Sequence, residues 1–195
     1  DGPTHQPVEQ LSALRATPNL HTWRPCATVE SAVSWKAAIE RNDGPSALVF
    51  SRQGLAPMER SDEQLSNVGR GGYVLRKTND AQAILIATGS EVELATNAAD
   101  QLAEKGIAVS VVSMPCAEIF CEQDKAYQDS VLPPAIRVRV AVEALHADYW
   151  HKSVGLDGRV LGMTRFGESA PGNVLMKEFG FTAQTLVTTV MESLG

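Results

Sequence analysis

Basic residues are in the minority, cysteines are few, and no apolar run is long. The 17 Lys and Arg against 23 Asp and Glu leave a formal net charge of −6. That balance argues against nucleic acid or an anionic membrane as the main partner, because both attract a cationic surface. It is compatible with a local basic site for a small anion. Three cysteines, Cys26, Cys116 and Cys121, cannot pair completely, and their one C-x4-C pair has neither a second pair nor a histidine cluster beside it. Neither a zinc site nor a disulfide framework is expected, so a reducing, cytoplasmic compartment is the simpler expectation. No apolar run reaches the ~18–20 residues that span a bilayer, and no signal-like segment opens the chain. An initiator methionine is lacking too. The chain starts Asp1-Gly2-Pro3-Thr4-His5, text that reads like the interior of a functional loop, and is expected to be a piece of something larger.

What is present is ordinary globular composition, 195 residues with 44% hydrophobic side chains. A chain of this size buries roughly 70% of its unfolded surface, enough for a core without disulfides. Pro7, then Val8, Leu11 and Leu14, spell a helix opening near Gln6 and stopped by Thr17-Pro18. Leu20 to Pro25 suits a brief strand. Thr28 is the expected N-cap of a helix through Ile39, broken by Asn42-Asp43-Gly44-Pro45. Ala47 to Phe50 is a continuous apolar run, expected as a strand buried on both faces. From Gln53 to Gly72 the pattern becomes a polar connection with at most one short helix, Glu63 to Val68. A second series follows: strands at 72–76, 83–88, 108–113, 137–142 and 159–163, and helices through Val92 to Leu102 and near 123–131, 146–154, 173–179 and 183–194. Alternating strands and helices imply an α/β fold of three layers with mostly parallel sheets.

Arg52 follows the 47–50 strand at its carboxyl end, where open α/β sheets bind ligands and a guanidinium suits phosphate or carboxylate. Position alone favours the alternative, a solvated loop arginine. His5 lies before the expected helix start, where the helix dipole would favour the neutral ring; a loop histidine capping its own helix is the alternative. Thr88-Gly89-Ser90-Glu91 is a strand-to-helix turn that fits a helix cap better than an anion cradle, since it lacks a P-loop lysine and spaced glycines. His146 and His151 read as surface or interface histidines. Trp23, Trp35 and Trp150 read as core or interface anchors. Glu143 ends a buried strand, either as a functional group or as the partner of a cation.

Asp1 through Arg15 (DGPTHQPVEQLSALR) closely resembles the signature of transketolases. TWRP at 22–25, SRQ at 51–53, ATGSEV at 87–92, VSMP at 112–115 and FGESAP at 166–171 resemble bacterial members of that family in order and spacing. The resemblance implies the trailing part of a thiamine-diphosphate pyrimidine-binding domain with a linker (residues 1–69), then a transketolase C-terminal-like domain (70–195). It implies a parent enzyme that uses thiamine diphosphate and Mg2+ (or Ca2+) to move a two-carbon ketol unit from a ketose phosphate to an aldose phosphate in the pentose phosphate pathway. The family further implies a homodimer. By motif match, His5 would lie beside the thiazolium and the reactive end of the sugar, Asp1 would hydrogen-bond a sugar hydroxyl, and Arg52 would hold the substrate phosphate. The diphosphate-and-metal motif of thiamine enzymes, GDG followed by paired asparagines, is missing, as is any candidate for the glutamate that activates the aminopyrimidine. No metal ligand is expected in this segment, and the segment alone is expected to be inactive. Deoxyxylulose phosphate synthases and 2-oxoacid dehydrogenase (pyruvate dehydrogenase-type) β subunits share the domain pair, but the DGPTHQP and FGESAP strings point away from them. A non-catalytic module binding an anion at Arg52 or Ser90 is the reading from another class.

Overall fold

The computed structural model describes residues 2–195; Asp1 lies outside the described residues. The first unit holds α1 (Gln10–Ala16), β1 (His21–Trp23), α2 (Ala27–Glu40) and β2 (Ser46–Leu48). β1 and β2 pair in parallel, Thr22 opposite Ala47. The strand expected over 47–50 is displaced by two residues at its end and is half-buried along its length, and Phe50 is 44% exposed. Among the described residues this sheet has two strands only, so no third strand or outer layer covers it. α2 begins one residue before Thr28. Its N-cap is Cys26, whose amide donates to the Glu30 carboxylate at 2.6 Å, so a carboxylate reaching back takes the role expected of a hydroxyl.

The connection carries α3 (Asp62–Val68), started by a capping box between Ser61 and Gln64. The second unit then runs β3 (Tyr73–Arg76), β4 (Ala83–Ala87), α4 (Glu91–Glu104), β5 (Val109–Ser113), α5 (Ala117–Glu122), α6 (Lys125–Val131), β6 (Val138–His146), α7 (His151–Val154), β7 (Arg159–Met163), α8 (Gly172–Glu178) and α9 (Ala183–Leu194). Its sheet order is β3-β5-β4-β6-β7. β3 is antiparallel to β5 and the other pairings are parallel.

The period-two alternation of β4 separates the layers. Ala83, Leu85 and Ala87 face a core built with α4 and α9, including Val92, Leu102, Leu186 and Val190. Ile84 and Ile86 face the opposite core, with Phe120, Val131, Trp150 and Val154. Full burial of each such leucine or isoleucine stabilises the fold by about 1.5–3 kcal/mol before entropy is counted. The α/β, three-layer, mostly parallel expectation holds.

Val8 and Cys26 of the first unit are buried in the same cluster as Leu85 and Val142. The accessible surface is 9964 Å², against about 9,000 Å² expected for a self-contained monomer of this mass. The surplus includes Trp35 on α2, which is 53% exposed and stacks on Phe50 with ring centroids 6.1 Å apart, and the exposed Ile39 and Leu65. Trp23 and Trp150 are core anchors, whereas Trp35 is exposed and lies outside the core.

β6 overruns its expected end by four residues. The helix expected from His146 is reduced to a 3-10 turn, Ala147–Trp150, followed by α7. The cause is tertiary: the His146 amide donates to the Val8 carbonyl at 3.0 Å, which prolongs the extended backbone onto the first unit. No helix among the described residues is long and apolar enough to cross a membrane.

Candidate functional site

The loop before α1 makes a 3-10 turn over Pro3–His5, in which the His5 amide donates to the Gly2 carbonyl and the Gln6 amide to Pro3. His5 is exposed, and its Nδ1 lies 3.1 Å from the Thr4 hydroxyl. α1 begins only at Gln10, so the helix dipole expected to act on His5 is displaced from it by a full turn of chain. Two backbone bonds fasten the loop to the second unit: Gly167 donates to the Gln6 carbonyl at 2.8 Å, and His146 to Val8. At Gly167 any Cβ would come within 3.0 Å of the Gln6 side chain, which explains the glycine of FGESAP.

Arg52 follows β2 by four residues and is exposed. Among the described residues it forms no ion pair or hydrogen bond, which leaves its guanidinium available to an anion. Gln6 and Gln53, the neighbours of His5 and Arg52, line one cavity of about 620 Å³. Gly167 and Glu168 border it as well, and Leu145, Met163, Phe179 and Phe181 supply apolar wall. Three of the quoted motifs, DGPTHQP, SRQ and FGESAP, thus meet around one cleft between the units.

The ATGSEV turn belongs to the interface and is not an anion site. The Arg24 guanidinium lies in it, donating to the Thr88 carbonyl at 2.8 Å and to Glu91 Oε2 at 2.5 Å. In return the Thr88 hydroxyl and the Gly89 amide donate to the Arg24 carbonyl. Gly89 has φ +55°, and a Cβ there would meet Arg24 at 2.9 Å. The Glu91 and Val92 amides bond to Thr88 and Gly89 within the turn, so a bound anion would find these donors in use. Glu143 resolves toward the second of its two alternatives. It accepts both Arg15 guanidinium nitrogens, at 2.6 and 2.8 Å, and Trp150 Nε1 at 2.7 Å, with Arg24 3.5 Å away. Burial pushes its carboxyl up, but the Arg15 charge and hydrogen bonds, helped by Arg24 and Trp150, outweigh this and hold it below the ordinary carboxylate value. Burial lowers the arginines, and Glu143 and Glu91 overcome that to raise both.

A second buried cluster joins the units on the other side of α2. Glu30 Oε1 accepts from Tyr73 at 2.8 Å and Ser113 at 2.6 Å, with Arg60 at 3.4 Å. Burial and the Glu30 charge push the Cys26 thiol up to about 12, and burial followed by Glu118 raises Cys116, so neither is a nucleophile at neutral pH. His146 and His151 do not converge: His146 caps the 3-10 turn through Asp148, and His151 is exposed. No three His, Cys, Asp or Glu side chains among the described residues are grouped to hold a metal. Arg15, Arg24, Glu30 and Glu91 join the units and carry no local pattern that pairs them. The available signal was charged residues inside otherwise apolar or motif-bearing text, Arg24 in TWRP and Glu91 in ATGSEV.

A mostly parallel sheet covered on both faces, its strand-end turn filled by an arginine from a preceding α/β unit, with a cleft between the two, defines a chain of paired α/β domains. Residues 1–57 match the family described as "Transketolase, pyrimidine binding domain" and residues 71–182 the "Transketolase-like TK C-terminal domain". The chain belongs to the transketolase family. It is 62% identical over its whole length to Transketolase 2 of Pasteurella multocida, of which it covers 30%. The transketolase structure from Leishmania mexicana superposes with a TM-score of 0.92 at 41% identity, over all of this chain and 28% of that one. A split-gene transketolase in an inactive β4 tetramer shares the fold, with TM-score 0.80 and 22% identity over 99% of this chain and 64% of that one. The chain thus spans about 30% of the length of the curated relative it matches.

Proposed function

We propose that this chain supplies the substrate-facing loop and the C-terminal domain of a transketolase, an enzyme moving a two-carbon ketol unit between sugar phosphates with thiamine diphosphate. The observation that carries this is the convergence of DGPTHQP, SRQ and FGESAP on one cleft, lined by Gln6 and Gln53, the residues that follow the exposed His5 and Arg52. The division falls between residues 69 and 70, in the connection after α3. Arg52 holds the phosphate of donor or acceptor through its planar fork. His5 faces the reacting end of the sugar. In the tautomer whose Nδ1 accepts from the Thr4 hydroxyl, Nε2 carries the proton and is the donor to the substrate oxygen whose charge changes. Asp1 hydrogen-bonds a sugar hydroxyl; that role rests on the motif.

The donor set described above does not fit a diphosphate with its metal ion. We therefore assign thiamine diphosphate and Mg2+ to another part of transketolase, and the chain alone is inactive. The parent acts as a homodimer in the cytoplasm, where the three unpaired thiols are kept reduced. The test is ketol transfer from xylulose phosphate to ribose phosphate with thiamine diphosphate and Mg2+. The 195-residue chain shows none by itself and gains it with a polypeptide carrying the remaining part of a relative. In that assembly, H5A and R52A each lower turnover, R52A chiefly through KM. Robust turnover by the chain alone would refute the assignment.

A further inference from the structure

Three groups that tie the two units together sit on one short stretch of β6, past Val142, its last residue paired with β4. Glu143 takes the bidentate fork of Arg15, in the last turn of α1, and lies within 3.5 Å of Arg24 after β1. The Ala144 amide donates to Glu91 at 3.2 Å. The His146 amide donates to Val8, three residues from His5. The register with β7 shifts between Val142 and His146, so the strand leaves the regular ladder where these contacts begin. The loop that carries His5 has an anchor at its near end, Gln6 and Val8 on Gly167 and His146, and another at its far end, Arg15 on Glu143.

From this geometry we propose that Glu143 is a positioning residue for His5: through Arg15 and the β6 overhang it sets where the 2–8 loop stands over the cleft. The idea rests on the transketolase reading of His5. The physical grounds are that a bidentate carboxylate–guanidinium pair fixes direction as well as distance, and that Arg15 and Glu143 are both buried, so their geometry is not averaged by solvent. α1 is seven residues long and has no side-chain cap at its start. It is too short to hold its own orientation and takes it from Arg15 and Leu11. Arg52 lies outside this loop, so displacing the loop shifts the group at the reacting carbon and leaves the phosphate grip in place.

The experiment compares E143Q with L186A, a core variant that removes no hydrogen bond or charge of the network, at matched stability. Amide hydrogen exchange is read in the full chain at Gly167 and His146, the donors to Gln6 and Val8. E143Q accelerates both at least tenfold more than L186A does. R15K keeps the charge but loses the fork, and it shows the same amides at smaller amplitude even if E143Q does not fold. G167A pushes on Gln6 directly and gives the same signature with the ion pair intact. In the complete assembly, E143Q and G167A lower kcat about 10- to 100-fold with KM for the donor within about threefold, as expected for a reacting group displaced by about an ångström, whereas matched L186A leaves kcat unchanged. Equal exchange at the two amides in E143Q and L186A, or a rise in KM with kcat preserved, would overturn the assignment. If the wild-type assembly shows no ketol transfer, the transketolase reading fails, and the exchange comparison still decides whether Glu143 holds the loop.

Discussion

Arg24→Met tests a buried ionic contact between the units. The guanidinium is buried between Glu91 and Glu143 and supplies the Thr88 carbonyl with a donor. Methionine keeps most of the stem volume, so the cavity contribution is small and the loss is electrostatic. Removing one partner of a buried pair costs about 3–5 kcal/mol, because Glu91 stays buried without its cation. A chain of this size loses roughly 2–4 °C per kcal/mol, so the thermal midpoint should fall by roughly 6–20 °C. Urea unfolding followed by tryptophan fluorescence is a direct assay, since Trp23 and Trp150 are fully buried, one in each unit. R24M should lower the midpoint with the slope m unchanged. The double variant R24M/E91Q removes the stranded charge and should recover part of the loss, giving a coupling of about 1.5–3 kcal/mol. A single-variant cost below about 1 kcal/mol, the range of solvent-exposed pairs, or strict additivity in the double variant, would show that the contact is not the electrostatic joint described.

Glu143 makes stability fall with acid. Its folded pKa lies below the ordinary carboxylate value of 4.5, so its contribution is fully present well above that pH and is lost as pH drops through the folded value; the stability gap between wild type and E143Q should narrow below about pH 4.5, and a gap that widens there would contradict the ion pair. Cysteine labelling reads the burial pattern: at neutral pH an aromatic disulfide reagent should modify the exposed Cys121 at once and reach Cys26 and Cys116 only on unfolding.

How legible each part was follows from how local its cause is. α9 spans the very residues expected of it, and β4 and β5 agree to within one residue, because long runs with one period carry their own signal. α5 went unforeseen: its six residues are too few for a period, and its start at Cys116 depends on the Gly71 carbonyl, which accepts the Cys116 amide. β6 outruns its apolar pattern because its last residues extend to reach Val8, which is 138 positions away in the chain. The half-buried β2 strand departs from the buried one that its apolar run implies, because such a run signals the need for cover, while cover itself comes from neighbouring strands.

The sequence by itself determined the alternation of strands and helices, the family resemblance and the candidacy of His5 and Arg52, since these rest on residue type and short-range order. Only the tertiary structure decided that Arg24 occupies the ATGSEV turn, that Glu143 serves Arg15, and that the His5 loop is fastened to Gly167 and His146. Each of those contacts joins residues more than 60 positions apart. A buried charge announces in sequence that it needs a partner, but the partner is chosen by the packing of two domains, which no local pattern encodes.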